Sequence, residues 1–179
     1  MLPGMRWMNR AAVHEFDLAN GERGRWESLC SPADKHSVLV VALTPDKKLV
    51  LVRQYRFPVE SFAVELPGGV VDPGESASEA VGRELLQETG YATDEVKILI
   101  QGWNWNAKSD ATFSIYLATG CRRVQEPELD PVERHTCLSI LEEEPAMVTS
   151  KIAIGDSEYR DPILSHALLT MAVRGLIVL

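Results

Sequence analysis

The chain has 179 residues, of which 45% are hydrophobic and 25% charged, a composition typical of a globular protein with a substantial core. Its 18 basic and 26 acidic residues give a formal net charge of −8, and the acidic excess is spread along the chain, which argues against a nucleic-acid groove. Three isolated cysteines, with no CxxC pair, argue against a disulfide scaffold or a zinc finger.

No segment resembles a signal peptide or a membrane-spanning helix. The N-terminal stretch MLPGMRWMNR lacks the apolar run of a signal peptide, and no later run reaches the ~18 apolar residues that a bilayer requires. We therefore expect a soluble, cytoplasmic protein with no membrane partner.

The first predicted unit is a small antiparallel strand pair. Residues 11–18 and 24–31 alternate loosely between apolar and polar side chains and are separated by a turn at Asn20-Gly21. Two strands alone are marginally stable, so this unit should pack on the main domain or on a second copy of the chain. We assign residues 1–35 to this N-terminal β appendage, with a role in dimerisation.

The main domain, residues 36–179, is predicted to be α/β. Strands are expected at 37–44 and 49–56, joined as a hairpin, and at 61–66, 95–103, 111–120 and 135–140. A helix should follow Gly74, with Ser76-x-x-Glu79 as a capping box and Gly90 as its stop. A second helix should begin at Asp161-Pro162, and residues 142–153 are a candidate for a short one.

The helix after Gly74 places two acids on its apolar side. At 100° per residue, Glu84 and Glu88 share a face with Ala80 and Val81, whereas a solvated helix would put them opposite. Like charges one turn apart disfavour a helix by roughly 0.2–0.5 kcal/mol. A divalent cation, Mg²⁺ or Mn²⁺, would offset this repulsion, and Arg83 or a lysine is the alternative.

The segment around this helix is similar to the signature of the Nudix hydrolases. Gly69, Glu75 and the run 83–91 (RELLQETGY) stand at the spacing of that signature, which covers 23 residues. The resemblance implies a Nudix-type α/β/α sandwich with a mixed sheet and Mg²⁺-dependent cleavage of a diphosphate. It also implies that Glu84, Glu88 and the Gly68 carbonyl bind metal.

By the same resemblance, Glu75 and Arg83 orient the helix and its loop. The sequence departs from the family pattern at Gln87, where the family has a glutamate. This amide removes one charge from the metal-binding end of the helix. It puts the number of bound ions in question.

Further residues resemble the ADP-ribose and nucleoside diphosphate sugar pyrophosphatases within that family. The segments that show this resemblance are LVLVRQYR from Leu49, FAVELPGG before the signature, and the N-terminal strand pair. The resemblance implies hydrolysis of ADP-ribose or a related nucleotide sugar to a nucleoside monophosphate and a sugar phosphate. It implies a substrate-contacting Arg56, with Arg53 as a weaker candidate, and commonly a homodimer.

Two roles are less specific. The general base is expected from the segment 125–134, with Glu133 preferred over Glu126, Glu128 and Asp130. Trp103 and Trp105, spaced by two on the expected strand, are candidates for contact with the nucleobase or sugar, although core packing of at least one is the ordinary expectation.

Two alternatives stay open at this point. The first is a Nudix enzyme for another nucleoside diphosphate derivative: a dinucleoside polyphosphate, NADH, coenzyme A or an oxidised nucleotide. The second is a non-catalytic Nudix module that senses a nucleotide, an idea to which Gln87 gives some weight.

Overall fold

A computed structural model describes residues 10–31 and 36–178, apart from the Arg10 side chain. A mixed seven-stranded sheet lies at its centre, with two smaller strand pairs beside it. The strands are β1 Arg10–Asp17, β2 Arg23–Cys30, β3 His36–Leu43, β4 Leu49–Arg56, β5 Ser61–Glu65, β6 Gly68–Val70, β7 Tyr91–Ala92, β8 Val96–Trp103, β9 Thr112–Ala118, β10 Arg122–Arg123 and β11 Ser139–Glu143. The helices are α1 Ala77–Thr89, α2 Pro131–His135, α3 Pro145–Ala153 and α4 Pro162–Val173.

The main sheet has the order β11-β4-β3-β9-β8, with β5 paired to β4 and β6 paired to β3. Only β3 and β9 run parallel, and the other pairs are antiparallel. Since β6 precedes α1 directly and pairs with the central strand β3, the start of the helix is tied to the middle of the sheet.

Alternating side chains of the central strands build a core on each face of the sheet. On β3, Val38, Val40 and Ala42 pack towards α1, whereas Val41 and Leu43 face the opposite core. Helix α1 covers the first core with Ala80, Val81 and Leu85. Helices α3 and α4 cover the second with Val148, Leu164, Ala167, Leu168 and Met171. The predicted α/β/α sandwich is confirmed.

The N-terminal hairpin is joined to the main domain through the loop after β8. The backbone N–H of Leu29 donates to the carbonyl of Lys108, and the Trp26 indole donates to the Ala107 carbonyl at 2.8 Å. The predicted strand pair is confirmed for residues 10–30. Residues 1–9 and 32–35 of the appendage lie outside the described part of the chain.

Most predicted elements are found close to their expected bounds, with one shift. The strand expected at 135–140 begins at Ser139, because His135 ends a short helix, α2, that was not predicted. All three cysteines are free; Cys121 is buried and Cys137 exposed. Among the described residues no helix is long and apolar enough to cross a membrane.

Candidate active site

Helix α1 is fixed at both ends by the predicted caps. The Ser76 hydroxyl accepts from the Glu79 backbone N–H, and the Glu79 carboxylate accepts from the Ser76 N–H at 2.8 Å. Gly90 ends the helix with a φ of 73°, a conformation that glycine adopts without strain. These caps determine where the acidic face of the helix lies relative to β6.

Glu84 and Glu88 are buried against the glycine segment that precedes the helix. The Gly68 N–H donates to the Glu88 carboxylate at 2.8 Å, and a Cβ on Gly69 would overlap the Glu84 carboxylate. A Cβ on Gly68 would overlap the Val38 carbonyl. Glycine is therefore required at position 68 by its close approach to the backbone of β3, while Gly69 lies against the carboxylate of Glu84.

Arg83 holds the loop and the acids of α1 together. Its guanidinium binds Glu75 through two hydrogen bonds of 2.8 and 2.9 Å and donates to Glu84 at 2.7 Å. It also reaches the Val70 carbonyl at 3.1 Å and the Gln87 amide oxygen at 3.3 Å. One planar group with several fixed donors thus connects β6, the loop and the helix.

The electrostatic environments of the two buried acids differ. Burial raises the pKa of Glu84, and the hydrogen bond and charge of Arg83 oppose that rise. Burial raises the pKa of Glu88 to about 8, with the Gly68 N–H opposing and the charge of Glu84 adding to the rise. Among the described residues, no cationic side chain is bonded to Glu88.

Glu133 lies near this pair but is engaged in its own helix. Its negative charge contributes to the raised pKa of both Glu84 and Glu88, which puts it on the same side of the molecule. Its carboxylate accepts from the Asp130 N–H at 2.6 Å, and the Asp130 side chain accepts from the Glu133 N–H at 2.7 Å. This reciprocal pair is a capping box at the start of α2.

The two arginines of β4 have different partners. Arg53 forms two hydrogen bonds with Glu158, at 2.6 and 2.7 Å, and lies 3.8 Å from the centre of the Phe62 ring. Arg56 pairs with Glu65, the closest contact being 2.7 Å, and its positive charge lowers the pKa of Glu88. The structure therefore brings Arg56, and not Arg53, to the acidic pair.

The two tryptophans do not form the predicted pair on one strand face. Strand β8 ends at Trp103, and Trp105 lies in the loop that follows. The expectation that at least one packs in the core is wrong, because Trp103 and Trp105 are 65% and 59% exposed. Trp103 lines a cavity with residues of the N-terminal hairpin, including His14 and Trp26, and this cavity has no residue of α1 in its wall.

The donor set at α1 suits a hard cation. Within residues 10–31 and 36–178, no three His, Cys, Asp or Glu side chains are already arranged to hold a metal. Mg²⁺, however, is usually held by one or two carboxylates together with waters and substrate phosphates. Glu84 and Glu88 supply two oxygen donors whose ionised forms are penalised by burial, and a bound cation would reverse that penalty.

Two features of this region were missed from the sequence. Glu65, which pairs with Arg56, was read only as part of a strand, and nothing in its local pattern indicates that pairing. The helix α2 did have a signal: Asp130-Pro131-x-Glu133 has the residues of a capping box with proline at the first turn.

Comparison with known proteins identifies the family. Residues 34–146 match the family model described as the NUDIX domain. The chain is 30% identical to an ADP-ribose pyrophosphatase of Bacillus subtilis over 122 residues, covering 68% of this chain and 64% of that protein. It is 34% identical to a methanol dehydrogenase activator of Bacillus methanolicus over 108 residues, covering 60% and 57% of the two chains. The chain thus matches less than two thirds of the length of either relative.

A solved structure titled as that of an ADP compounds hydrolase has the same fold. It superposes with a TM-score of 0.80 at 20% identity and covers 99% of this chain and 92% of its own. The resemblance to the Nudix hydrolases is confirmed by the family model, and an ADP-ribose pyrophosphatase is among the relatives that the chain matches. The chain belongs to the Nudix family.

Proposed function

We propose that this chain hydrolyses the diphosphate bond of a nucleoside diphosphate sugar, ADP-ribose or a close relative, to a nucleoside monophosphate and a sugar phosphate. The observation that supports this most directly is the pair Glu84 and Glu88, buried side by side on α1 against a glycine strand. Burial disfavours the ionised form of Glu88, which has no ion pair among the described residues, and a bound cation would stabilise that form.

The acidic pair and the Gly68 carbonyl are the proposed donors for Mg²⁺ or Mn²⁺. When bound, such an ion supplies charge neutralisation at the phosphate oxygens and lowers the pKa of a bound water. Glu75 and Arg83 act as positioning residues, because their double hydrogen bond fixes the loop against the helix. Gln87 accepts from the same guanidinium and offers a neutral oxygen where the family has an acid.

We assign substrate binding to Arg56. Its side chain is 48% exposed and its charge acts on Glu88, so a diphosphate at the acidic pair lies within its reach. A planar guanidinium with fixed donors suits phosphate oxygens. The Nε and Nη2 donors of Arg53 are occupied by Glu158, and we assign Arg53 a structural role.

Glu133 remains the proposed general base. It is the acid of the segment 125–134 whose charge reaches both Glu84 and Glu88. The Asp130 N–H binds Oε2 of Glu133, and the second carboxylate oxygen can accept a proton from an attacking water.

The substrate class rests on the relatives. A protein named ADP-ribose pyrophosphatase aligns with 68% of the chain, and the fold matches a structure titled ADP compounds hydrolase. Trp103 and Trp105 remain candidates for contact with the base or sugar only if another copy of the chain brings them to a site. In one chain Trp103 faces the N-terminal hairpin, away from α1.

A homodimer formed through the N-terminal appendage is part of this proposal. The hairpin exposes Val13, Phe16, Trp26 and Leu29, all more than a third accessible, beside the exposed Trp103. Such a concentration of apolar side chains on two strands favours burial against a second copy.

Three free thiols also suit a reducing compartment such as the cytoplasm.

A substrate panel tests the function. Purified protein is incubated with Mg²⁺ and ADP-ribose, GDP-mannose or NADH, and the products are identified by mass. We expect AMP and ribose 5-phosphate from ADP-ribose, and no turnover after chelation of the metal. Intact nucleotide sugars beside a cleaved NADH would reassign the substrate, and tight binding without turnover of any compound would indicate a sensing module.

A further inference from the structure

A second cavity lies beside the Arg56–Glu65 ion pair, and no residue of α1 lines it. Its volume is about 510 Å³, within the range of small-molecule sites. Arg56 and Glu65 form one wall, and the segment 157–162, which leads into α4, forms the opposite wall. The apolar part of its lining comes from Pro58, Val59, Phe62, Ala63 and Pro162.

The segment that closes this cavity is firmly held. The Glu158 carbonyl accepts from the Val64 N–H at 2.8 Å, and the Glu158 carboxylate binds Arg53 twice. The next residue, Tyr159, is buried, and its hydroxyl lies 2.7 Å from Glu143 and 2.9 Å from Lys151. A ligand entering the cavity would therefore meet a preformed wall and would not have to order a loop.

Among the charged side chains that line the cavity, one cation can contact a ligand. Glu65 is paired with Arg56 and Glu158 with Arg53, while the two oxygens of Asp161 accept from the first backbone N–H groups of α4. Arg160 lines the same cavity, and among the described residues its guanidinium has no ion pair or hydrogen bond. The acids are thus committed to protein partners, and Arg160 is free to contact a ligand.

Arg56 connects the cavity to the acidic pair. Its side chain lines the cavity and pairs with Glu65, and three residues after Glu65 the Gly68 N–H binds Glu88 of α1. The guanidinium therefore lies between the two regions. A diphosphate that binds both Arg56 and the acids of α1 would direct one of its two substituents into the cavity.

We propose that the cavity binds the nucleoside end of the substrate, with Arg160 against the base. This inference rests on the proposed hydrolysis of a nucleotide sugar. A sugar phosphate has many hydroxyl groups and needs a dense set of hydrogen-bond partners, which this mostly apolar lining does not offer. A base has two apolar faces, on which a guanidinium stacks, and only a few polar edge groups.

The test uses the full chain with three variants. Arg160→Ala removes the free guanidinium, Ser157→Trp fills the cavity from its exposed edge, and Arg174→Ala is a matched control, an exposed arginine at the end of α4 outside the cavity. Calorimetric titrations with AMP and with ribose 5-phosphate are compared, and kcat and KM are measured with ADP-ribose. Thermal unfolding checks that each variant is folded.

We expect Arg160→Ala to weaken AMP binding by about fivefold or more and to raise KM for ADP-ribose to a similar extent, with kcat changed less than about twofold. Ser157→Trp should weaken AMP further, and Arg174→Ala should match wild type. Weaker ribose 5-phosphate binding with unchanged AMP binding would overturn the assignment of the nucleoside end. Unchanged binding of both products would overturn the cavity as a subsite.

The two proposals fail in different ways. If the wild-type protein leaves ADP-ribose intact, the hydrolysis proposed above is wrong, whereas the AMP titration of wild type and Arg160→Ala still reports on the cavity. If ADP-ribose is cleaved and Arg160→Ala binds AMP as wild type does, only the cavity assignment is lost.

Discussion

Two groups of carboxylates in this molecule have opposite electrostatic environments: Glu84 and Glu88 on α1, and Glu143 and Glu158 at the edge of the sheet. At the sheet edge, the hydrogen bonds from Arg53 lower the pKa of Glu158, and Lys151 pairs with Glu143. On α1, burial raises the pKa of Glu88 to about 8, and within the described part of the chain its hydrogen-bond partner is the backbone N–H of Gly68.

This difference separates a structural from a functional use of the same residue type. Where Glu158 has Arg53 and Glu143 has Lys151, the ion pairs fix one element of the fold to another. On α1 a single arginine, Arg83, pairs with both Glu75 and Glu84, and among the described residues Glu88 forms no ion pair. The second arrangement is the one that gains from a bound ligand of opposite charge.

The largest loss of activity is expected for Glu88→Gln, which tests whether the acids of α1 bind a ligand. The amide keeps the shape and can accept from the Gly68 N–H, but it removes an anionic metal donor, so kcat should fall by at least ~10². The free energy of unfolding near pH 7 should not fall, because burial already disfavours the charged form. Steady-state kinetics with Mg²⁺ and thermal unfolding measure the two quantities, with the exposed Glu144→Gln as control. Unchanged turnover would remove Glu88 from the site.

Arg83→Lys should have the next largest effect. A lysine keeps the charge but cannot make the two bonds to Glu75 together with that to Glu84, so we expect kcat to fall about tenfold and stability to fall by about 1–2 kcal/mol. Kinetics and denaturant unfolding test this against Arg122→Lys, an exposed arginine of β10. If lysine restored full activity, charge and not geometry would be what the site needs from Arg83.

The ends and the acidic face of α1 could be predicted from the sequence, whereas the ion pairs at the sheet edge could not. The caps at Ser76 and Gly90 and the acidic face of α1 are local: they depend on spacing within 15 residues, and spacing is readable. The pairing of Arg53 with Glu158 joins positions 105 residues apart, and that of Arg56 with Glu65 depends on the register of β4 and β5. Neither partner is indicated by residue type alone.

Long-range packing also explains the remaining differences in the fold. Trp105 continues a period-2 pattern, yet β8 ends at Trp103, where the loop 104–111 turns to meet the N-terminal hairpin through Ala107 and Lys108. The start of β11 is delayed because α2 occupies the residues before it. In both cases a tertiary contact overrides a local pattern of strand type.

Gln87→Glu would add another acid to α1 without adding a cation. A third carboxylate near Glu84 and Glu88 adds repulsion that a divalent cation relieves, so the variant should need several-fold less Mg²⁺ for half-maximal rate. Titration of activity against Mg²⁺ at saturating substrate measures this. An unchanged Mg²⁺ requirement would mean that Arg83, which now binds the amide oxygen, keeps this position away from the metal.

The smallest effect is expected for Glu158→Gln, which removes the charge that pairs with Arg53 at the edge of the sheet. The pKa of Glu158 in the folded protein lies below its ordinary value of 4.5, chiefly because of Arg53, so the ionised acid contributes stability above pH 4.5 and loses it as the pH falls through the folded-state pKa. Both side chains of the pair are 30% exposed, which limits the loss in the variant to about 1 kcal/mol at pH 7. Urea unfolding of both proteins between pH 7 and pH 3 should show this difference shrinking below pH 4.5. A difference that persisted at pH 3 would mean that Glu158 acts through packing and not through its charge.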